Sequence, residues 1–226
     1  MISSGDRVED LAFLRVSGTV LRRCAALGVH RMRFEGKRIG FALTGSHCTI
    51  PQVIPVISEL VSDGAEVIPI VSESVRDTDT RFGEAKELRK RLAELTGKEP
   101  ISSIVEAEPI GPEKLLDCLA IAPCTGNTAA RLAHGIVDGT VTMAAKAQLR
   151  NGRPVVIAIS TNDGLGLNAK SIAVLSCTPC VYLVPYRQDN PIDKANSLVA
   201  LMDLIPETID MAMRGMQTQP VLRGGN

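Results

Sequence analysis

The sequence predicts a three-layer α/β domain built on a doubly wound parallel sheet. Short, nearly continuous apolar runs alternate with segments of helical period, and the runs are too apolar to have one face in water. Small hydroxyl and glycine residues follow the apolar runs, as in strand-to-helix turns. The chain has 226 residues, which suits one domain of above-average size or a domain plus an extension.

The first apolar run spans residues 38–43 and ends in Thr44-Gly45-Ser46. After it, Ile50, Val53, Ile54, Ile57, Leu60 and Val61 share one helix face, with Thr49 as cap, Pro51 in the first turn and Gly64 as stop. A second strand is expected over residues 66–71, where Pro69 removes a ladder donor and places the strand near an edge or at a bulge. Ser72-Glu73-Ser74 follows it. Ala85, Leu88, Leu92 and Leu95 then mark a helix that stops at Gly97. A third unit runs through residues 101–105 and a Pro/Gly/Glu-rich turn to an apolar strand over residues 118–122, which leads into Pro123-Cys124-Thr125-Gly126-Asn127-Thr128. Beyond a short helix ending at Gly135, the pattern gives a helix over residues 141–149 and a strand over 154–159. The loop 160–166, a further helix and a strand over 181–184 come next. Met202, Ile205, Ile209, Met213 and Met216 mark one face of a closing helix. Residues 223–226 read as a tail.

Residues 1–36 differ in character. An arginine-rich amphipathic stretch over residues 8–27 carries Leu11, Leu14, Val20 and Leu21. It reads either as a peripheral helix or as sequence upstream of a true start at Met32.

Lys+Arg and Asp+Glu are both 25, so the formal charge is zero, which argues against binding nucleic acid through a broad basic face. No apolar run nears the ~18 residues of a membrane span. No signal-peptide pattern opens the chain, and a cytoplasmic location is expected. Aromatic residues make up only 3%, which excludes base stacking as the main binding device. The six cysteines are too few for a disulfide scaffold and read as free thiols. Cys177 and Cys180 have CxxC spacing without a second pair, and no metal site is expected.

In a doubly wound sheet, ligands bind beyond the carboxyl ends of the strands. Thr44-Gly45-Ser46-His47, Ser72-Glu73-Ser74, residues 123–128 and Ser160-Thr161-Asn162-Asp163 occupy those ends. Glycine admits close backbone approach, and hydroxyls at helix starts suit a phosphate with a polar, planar attachment. Helix capping without a ligand accounts for any one of these turns alone. Neither the dinucleotide GxGxxG pattern nor the phosphate loop ending in Gly-Lys-Ser/Thr is present after the first strand.

Thr44-Gly45-Ser46, the serine turn after the second strand, residues 122–128, Gly135 to Asp138, and the Asn162 loop together resemble the flavoprotein family. That family includes flavin-containing cysteine decarboxylases and flavin prenyltransferases. The resemblance extends over about residues 37–222. It implies a flavodoxin- or Rossmann-like fold and FMN, with Gly45 and Ser46 approaching the phosphate and Ser72 and Ser74 flanking it. Cys124, Thr125 and Asn127 would lie along the ribityl chain and ring, with Asn162 near the ring. The decarboxylases place a catalytic histidine where this chain reads Val105-Glu106-Ala107-Glu108-Pro109, and their Pro-x-Met-Asn loop is here Ile159-Ser160-Thr161-Asn162. Within the family the sequence is most similar to one component of a two-component oxidoreductase that makes an aromatic pyridine dicarboxylate. Its partner is a nicotinamide-binding Rossmann-like protein that could supply NADP. The resemblance thus implies a small dicarboxylate ligand and a homo-oligomer. Cations for the carboxylates would come from Arg81 and Lys146, with Arg150 and Arg187 as further candidates. His47, beside the phosphate turn, is a candidate general acid/base. The rival expectation is a non-catalytic partner with an empty flavin crevice.

Overall fold

A computed structural model describes residues 32–224. The stretch that carries the candidate peripheral helix and the question of an alternative start lies outside the described residues. Strands are β1 (Arg38–Leu43), β2 (Glu66–Val71), β3 (Cys118–Cys124), β4 (Val155–Thr161), β5 (Val181–Leu183), β6 (Tyr186–Asn190) and β7 (Lys194–Ala200). Helices are α1 (Ile50–Ser62), α2 (Glu73–Asp77), α3 (Ala85–Thr96), α4 (Ile104–Ala107), α5 (Gly126–Ala133), α6 (Thr140–Arg150), α7 (Ala169–Ser176) and α8 (Ile205–Met213).

The sheet runs β2-β1-β3-β4-β7-β6, and β5 also pairs with β4. β2, β1, β3, β4 and β5 are parallel, whereas β7 joins β4 and β6 antiparallel. The outer edge of β4 is therefore shared: Val155 to Ile157 pair with β5, and Ser160 and Thr161 pair with β7. The sheet is parallel-dominated, as the doubly wound expectation has it, and β7 and β6 extend it antiparallel.

Alternation along the strands feeds two cores. Ile39, Phe41 and Leu43 of β1, with Val156 and Ala158 of β4, pack under α1, α3 and α8. Leu119 and Ile121 of β3, with Ile157 and Ile159 of β4, pack under α5, α6 and α7. These are the two helical layers. β2 is the edge strand that Pro69 foretold, and Ile101 covers part of its free edge through a bridge to Ile70. Phe34, which the sequence pattern assigns to the extension, is fully buried in the first core, so the folded body starts before Lys37. The closing helix is shorter than its apolar stripe: Met202 sits in a 3-10 turn, and Met216 lies beyond the helix and is exposed.

The chain passes from β1 outward to β2 and returns to the opposite side of β1 as β3. The strand order thus reverses between β1 and β3, the place where a doubly wound sheet opens a ligand crevice. One buried hydroxyl holds that point together. Thr44 Oγ1 donates to the Pro123 carbonyl at 2.7 Å and accepts from the Thr125 amide at 2.9 Å. Replacing Thr44 with Val keeps the shape and orphans a buried carbonyl and amide. T44V should lose about 1–3 kcal/mol of stability in urea unfolding followed by circular dichroism; unchanged unfolding would show that the tie is dispensable.

Candidate functional site

A crevice of about 450 Å³ opens at the carboxyl ends of β1, β2 and β3, within the usual size range of small-molecule sites. Gly45 forms its wall at the end of β1. Ser72, Glu73 and Ser74 contribute from the start of α2, and Thr125, Asn127 and Thr128 from the start of α5. Ser72 and Thr125 cap their helices, accepting from the Val75 and Thr128 amides at 3.4 and 3.2 Å. A side chain at residue 45 would crowd the site, because a methyl there would stand 2.8 Å from Ser74 Oγ. Glycine is needed here for close approach rather than for its backbone angles. Gly126 is similarly pressed: a methyl would stand 2.5 Å from Thr161 Oγ1. That contact seats the first turn of α5 against the end of β4.

The lining also carries groups that the sequence pattern does not single out. Glu73 Oε1 accepts from the Thr140 amide at 2.8 Å and from its hydroxyl at 2.9 Å. This carboxylate therefore serves as the cap of α6, whose preceding residue, Gly139, has no side chain to offer. Arg131, the one permanent cation among the described lining residues, is paired with Asp138 at 3.0 Å. The crevice is thus lined by hydroxyls, an amide and glycine at Gly45, Ser74 and Asn127, and by the charged groups Glu73, Asp138 and Arg131.

Gly45, Ser72, Ser74, Thr125 and Asn127 come together around this one crevice, as the strand-end argument requires. The other named residues are placed differently. Ser46 turns toward β4, where its hydroxyl meets Ser160 Oγ at 2.8 Å and Thr49 Oγ1 at 3.4 Å; Thr49 closes the triangle to Ser160 at 2.9 Å. For the same reason Thr49 makes no side-chain cap on α1. Cys124 is fully buried in the second core, where the register shift of β3 against β4 between Ile121 and Cys124 breaks the alternation that places Cys118, Ala120 and Ala122 in the first. Asn162 is exposed on the hairpin side and accepts from Ser197 Oγ at 3.5 Å.

None of the three groups expected to do chemistry lines the crevice. Lys146 is on the exposed face of α6, opposite Val141, Ala144 and Ala145, and Arg150 is exposed one turn further on. The guanidinium of Arg81 lies 4.8 Å from the centre of the Phe82 ring, and Arg81 is exposed. His47 lines a second cavity of about 510 Å³ between α1 and α3, and reaches the crevice wall only through Ser74 Oγ at 3.4 Å. Arg187 lines a third cavity beside the β6–β7 hairpin. Among the described residues no cluster of acidic, histidine or cysteine side chains could hold a metal ion. No helix among them is long and apolar enough to cross a membrane.

Comparison with known proteins places this geometry in a class. The Flavoprotein family profile matches residues 29–209, and the chain belongs to that family. Over 188 residues it is 54% identical to the B-type subunit of dipicolinate synthase from Bacillus subtilis, spanning 83% of this chain and 94% of that protein. The crystal structure of the corresponding dipicolinate synthase component from Bacillus halodurans superposes with a TM-score of 0.79 at 50% identity, covering 85% of this chain and 99% of the other. The fold alone is shared with the FMN-dependent cysteine decarboxylase SpaF, at a TM-score of 0.58 and 17% identity, covering 79% and 98% of the two chains.

Burial also fixes which thiols can react. It pushes the Cys124 thiol up to about 12 and raises the Cys118 thiol further, whereas Cys48 and Cys177 are exposed. Brief alkylation of the native protein followed by peptide mass mapping should label Cys48 and Cys177 and spare Cys118 and Cys124. Rapid labelling of Cys124 would put it back in the crevice.

Proposed function

We propose that this chain is the B-type component of a dipicolinate synthase. In this reading it holds FMN in the crevice between β1 and β3. It acts with an A-type partner protein in the cytoplasm of sporulating cells to oxidise dihydrodipicolinate, or its hydroxytetrahydro precursor, to pyridine-2,6-dicarboxylate. The observation that carries this is the 54% identity along 94% of the B. subtilis protein. The crevice supports the cofactor. Gly45 leaves room beside Ser74, and Asn127 presents an exposed side-chain amide in the first turn of α5. These groups would hold the phosphate and the chain attached to it. Glu73 and Asp138 would accept hydrogen bonds from ligand hydroxyl or N–H groups.

Aromatisation removes a hydride and a proton from dihydrodipicolinate; the hydroxytetrahydro precursor must in addition lose water. A bound flavin supplies a hydride acceptor, and NADP carried by the A-type partner would supply another. The residues of this chain bind and orient, and Glu73, fixed through Oε1 by Thr140, keeps its carboxylate at the crevice wall as an acceptor for the proton. Assembly with further copies of the chain belongs to the same proposal.

The carboxylates of Glu73 and Asp138, with the lining Arg131 already paired, favour a second reading in which the chain completes its A-type partner without holding a flavin of its own. Co-purification with that partner, visible absorbance and product analysis separate the two. The first reading expects a yellow protein, FMN-dependent formation of the aromatic product, and about tenfold weaker FMN binding in N127A, the loss of roughly one hydrogen bond. A colourless protein whose N127A pair is fully active with NADP supports the second. A pair that consumes precursor without aromatic product overturns both.

A further inference from the structure

The crevice and the cavity between α1 and α3 share a wall made of Ser74 and His47. Ser74 faces the crevice directly across from Gly45. Behind it, His47 Nε2 stands 3.4 Å from Ser74 Oγ and 3.9 Å from where a methyl on Gly45 would be. The imidazole thus stands within van der Waals reach of the space beside Gly45, flanked there by the Ser74 side chain. Glu73, next to Ser74 in the chain, also lines the crevice and is tied to Thr140. Arg131, the permanent cation among the described lining residues, is held there by Asp138.

We propose that His47 is a proton-linked positioning residue. When a phosphate-bearing ligand occupies the crevice beside Gly45 and Ser74, His47 takes up a proton from solvent and supplies, through Ser74, the positive charge the site otherwise lacks. The inference rests on the FMN reading above and adds the charge regulation of that site. The charged groups facing His47 across the second cavity are Glu84, Glu87 and Glu94 against Lys90 and Arg91, all at or on α3. Three carboxylates against two cations leave that side slightly negative, so a positive charge arriving on the ring is not opposed from there. Glu73 adds a further negative charge beside Ser74, and Cys48, the exposed neighbour along the chain, lies within the field of Lys194, which is paired with Asp189 at 2.9 Å.

An imidazole ordinarily gains its proton near pH 6.5. A phosphate beside it keeps the proton on to higher pH. The stabilisation of bound ligand is then complete below the free imidazole range and is lost as pH rises through the higher value of the bound state. Fluorescence titrations of wild-type protein and H47Q with FMN and with riboflavin, at about pH 6 and about pH 8.5, test this. Wild type should bind FMN about fivefold more tightly than H47Q near pH 6 and equally near pH 8.5. Riboflavin, lacking the phosphate, should not distinguish the two proteins at either pH. Calorimetry at about pH 7.5, where the FMN phosphate is already doubly ionised, in two buffers of different ionisation enthalpy should read proton uptake with FMN in the wild type, and none in H47Q or with riboflavin. FMN binding without proton uptake, or with the same pH profile in H47Q, overturns the role of His47 and leaves the flavin reading standing. No FMN binding at any pH overturns both.

Discussion

The hydroxyl of Thr44 is the contact from which the site is built. β1 and β3 lie side by side, but the chain between them leaves the sheet, forms β2 and crosses back. Ladder bonds fix the two strands against each other as far as Ala42 and Ile121. Beyond that the strands diverge, and main-chain groups at their ends would be left without partners in a buried setting. Thr44 meets both a carbonyl and an amide of the opposite end with one atom, and is 1% exposed. Gly45 and Thr125, the next residues on each side, are then held apart by a fixed amount, and the crevice is the space between them. Serine could make the same bonds. Threonine also restricts its own χ1, which suits a tie that must not swing.

The polar residues around this tie divide by whether their bonds are already satisfied inside the protein. Ser46, Thr49 and Ser160 bond to one another, so the turn after β1 is stitched to the end of β4. Glu73 is committed to the start of α6, and Arg131 to Asp138. Each of these could have faced a ligand by residue type alone. What remains open is Ser74, which shares a long 3.4 Å contact with His47, the Asn127 amide, and the second carboxylate oxygen of Glu73, which Thr140 does not engage. A binding site is marked by polar groups still able to accept a partner, and here those groups cluster beside Gly45.

Much of the fold was legible because buried parallel strands are apolar throughout. β1 and β2 begin and end where their apolar runs do, and Pro69 correctly marks an edge. The β6–β7 hairpin was not legible. Arg187 and Asp189 face water on an exposed strand, so no apolar run signals it, and the turn at Pro191 resembles any loop. The site was legible as a set of strand ends but not as a set of directions. Period and spacing reveal which residues follow a strand, whereas the register shift that breaks the alternation at Cys124 arises from how β3 meets β4. The misplacement of Lys146 has a different cause, because the sequence did contain the answer. Val141, Ala144, Ala145 and Gln148 mark the buried stripe of α6 at helical spacing, and Lys146 falls on the opposite side.

The same division explains why the best acid/base candidate in the sequence has no direct place in the crevice. A histidine three residues beyond Thr44 sits past the point where the chain bends toward α1, so its ring is carried to the outer side of the turn. Proton transfer to a substrate needs contact at hydrogen-bond distance or through one water. Charge compensation needs only proximity, since a full charge acts across several ångströms where a proton cannot pass. The Ser74 hydroxyl stands between the ring and the crevice, so a proton would have to pass through it, whereas charge compensation needs no such relay. For this residue, position bears on the choice between chemistry and electrostatics, and the proposed role is the electrostatic one.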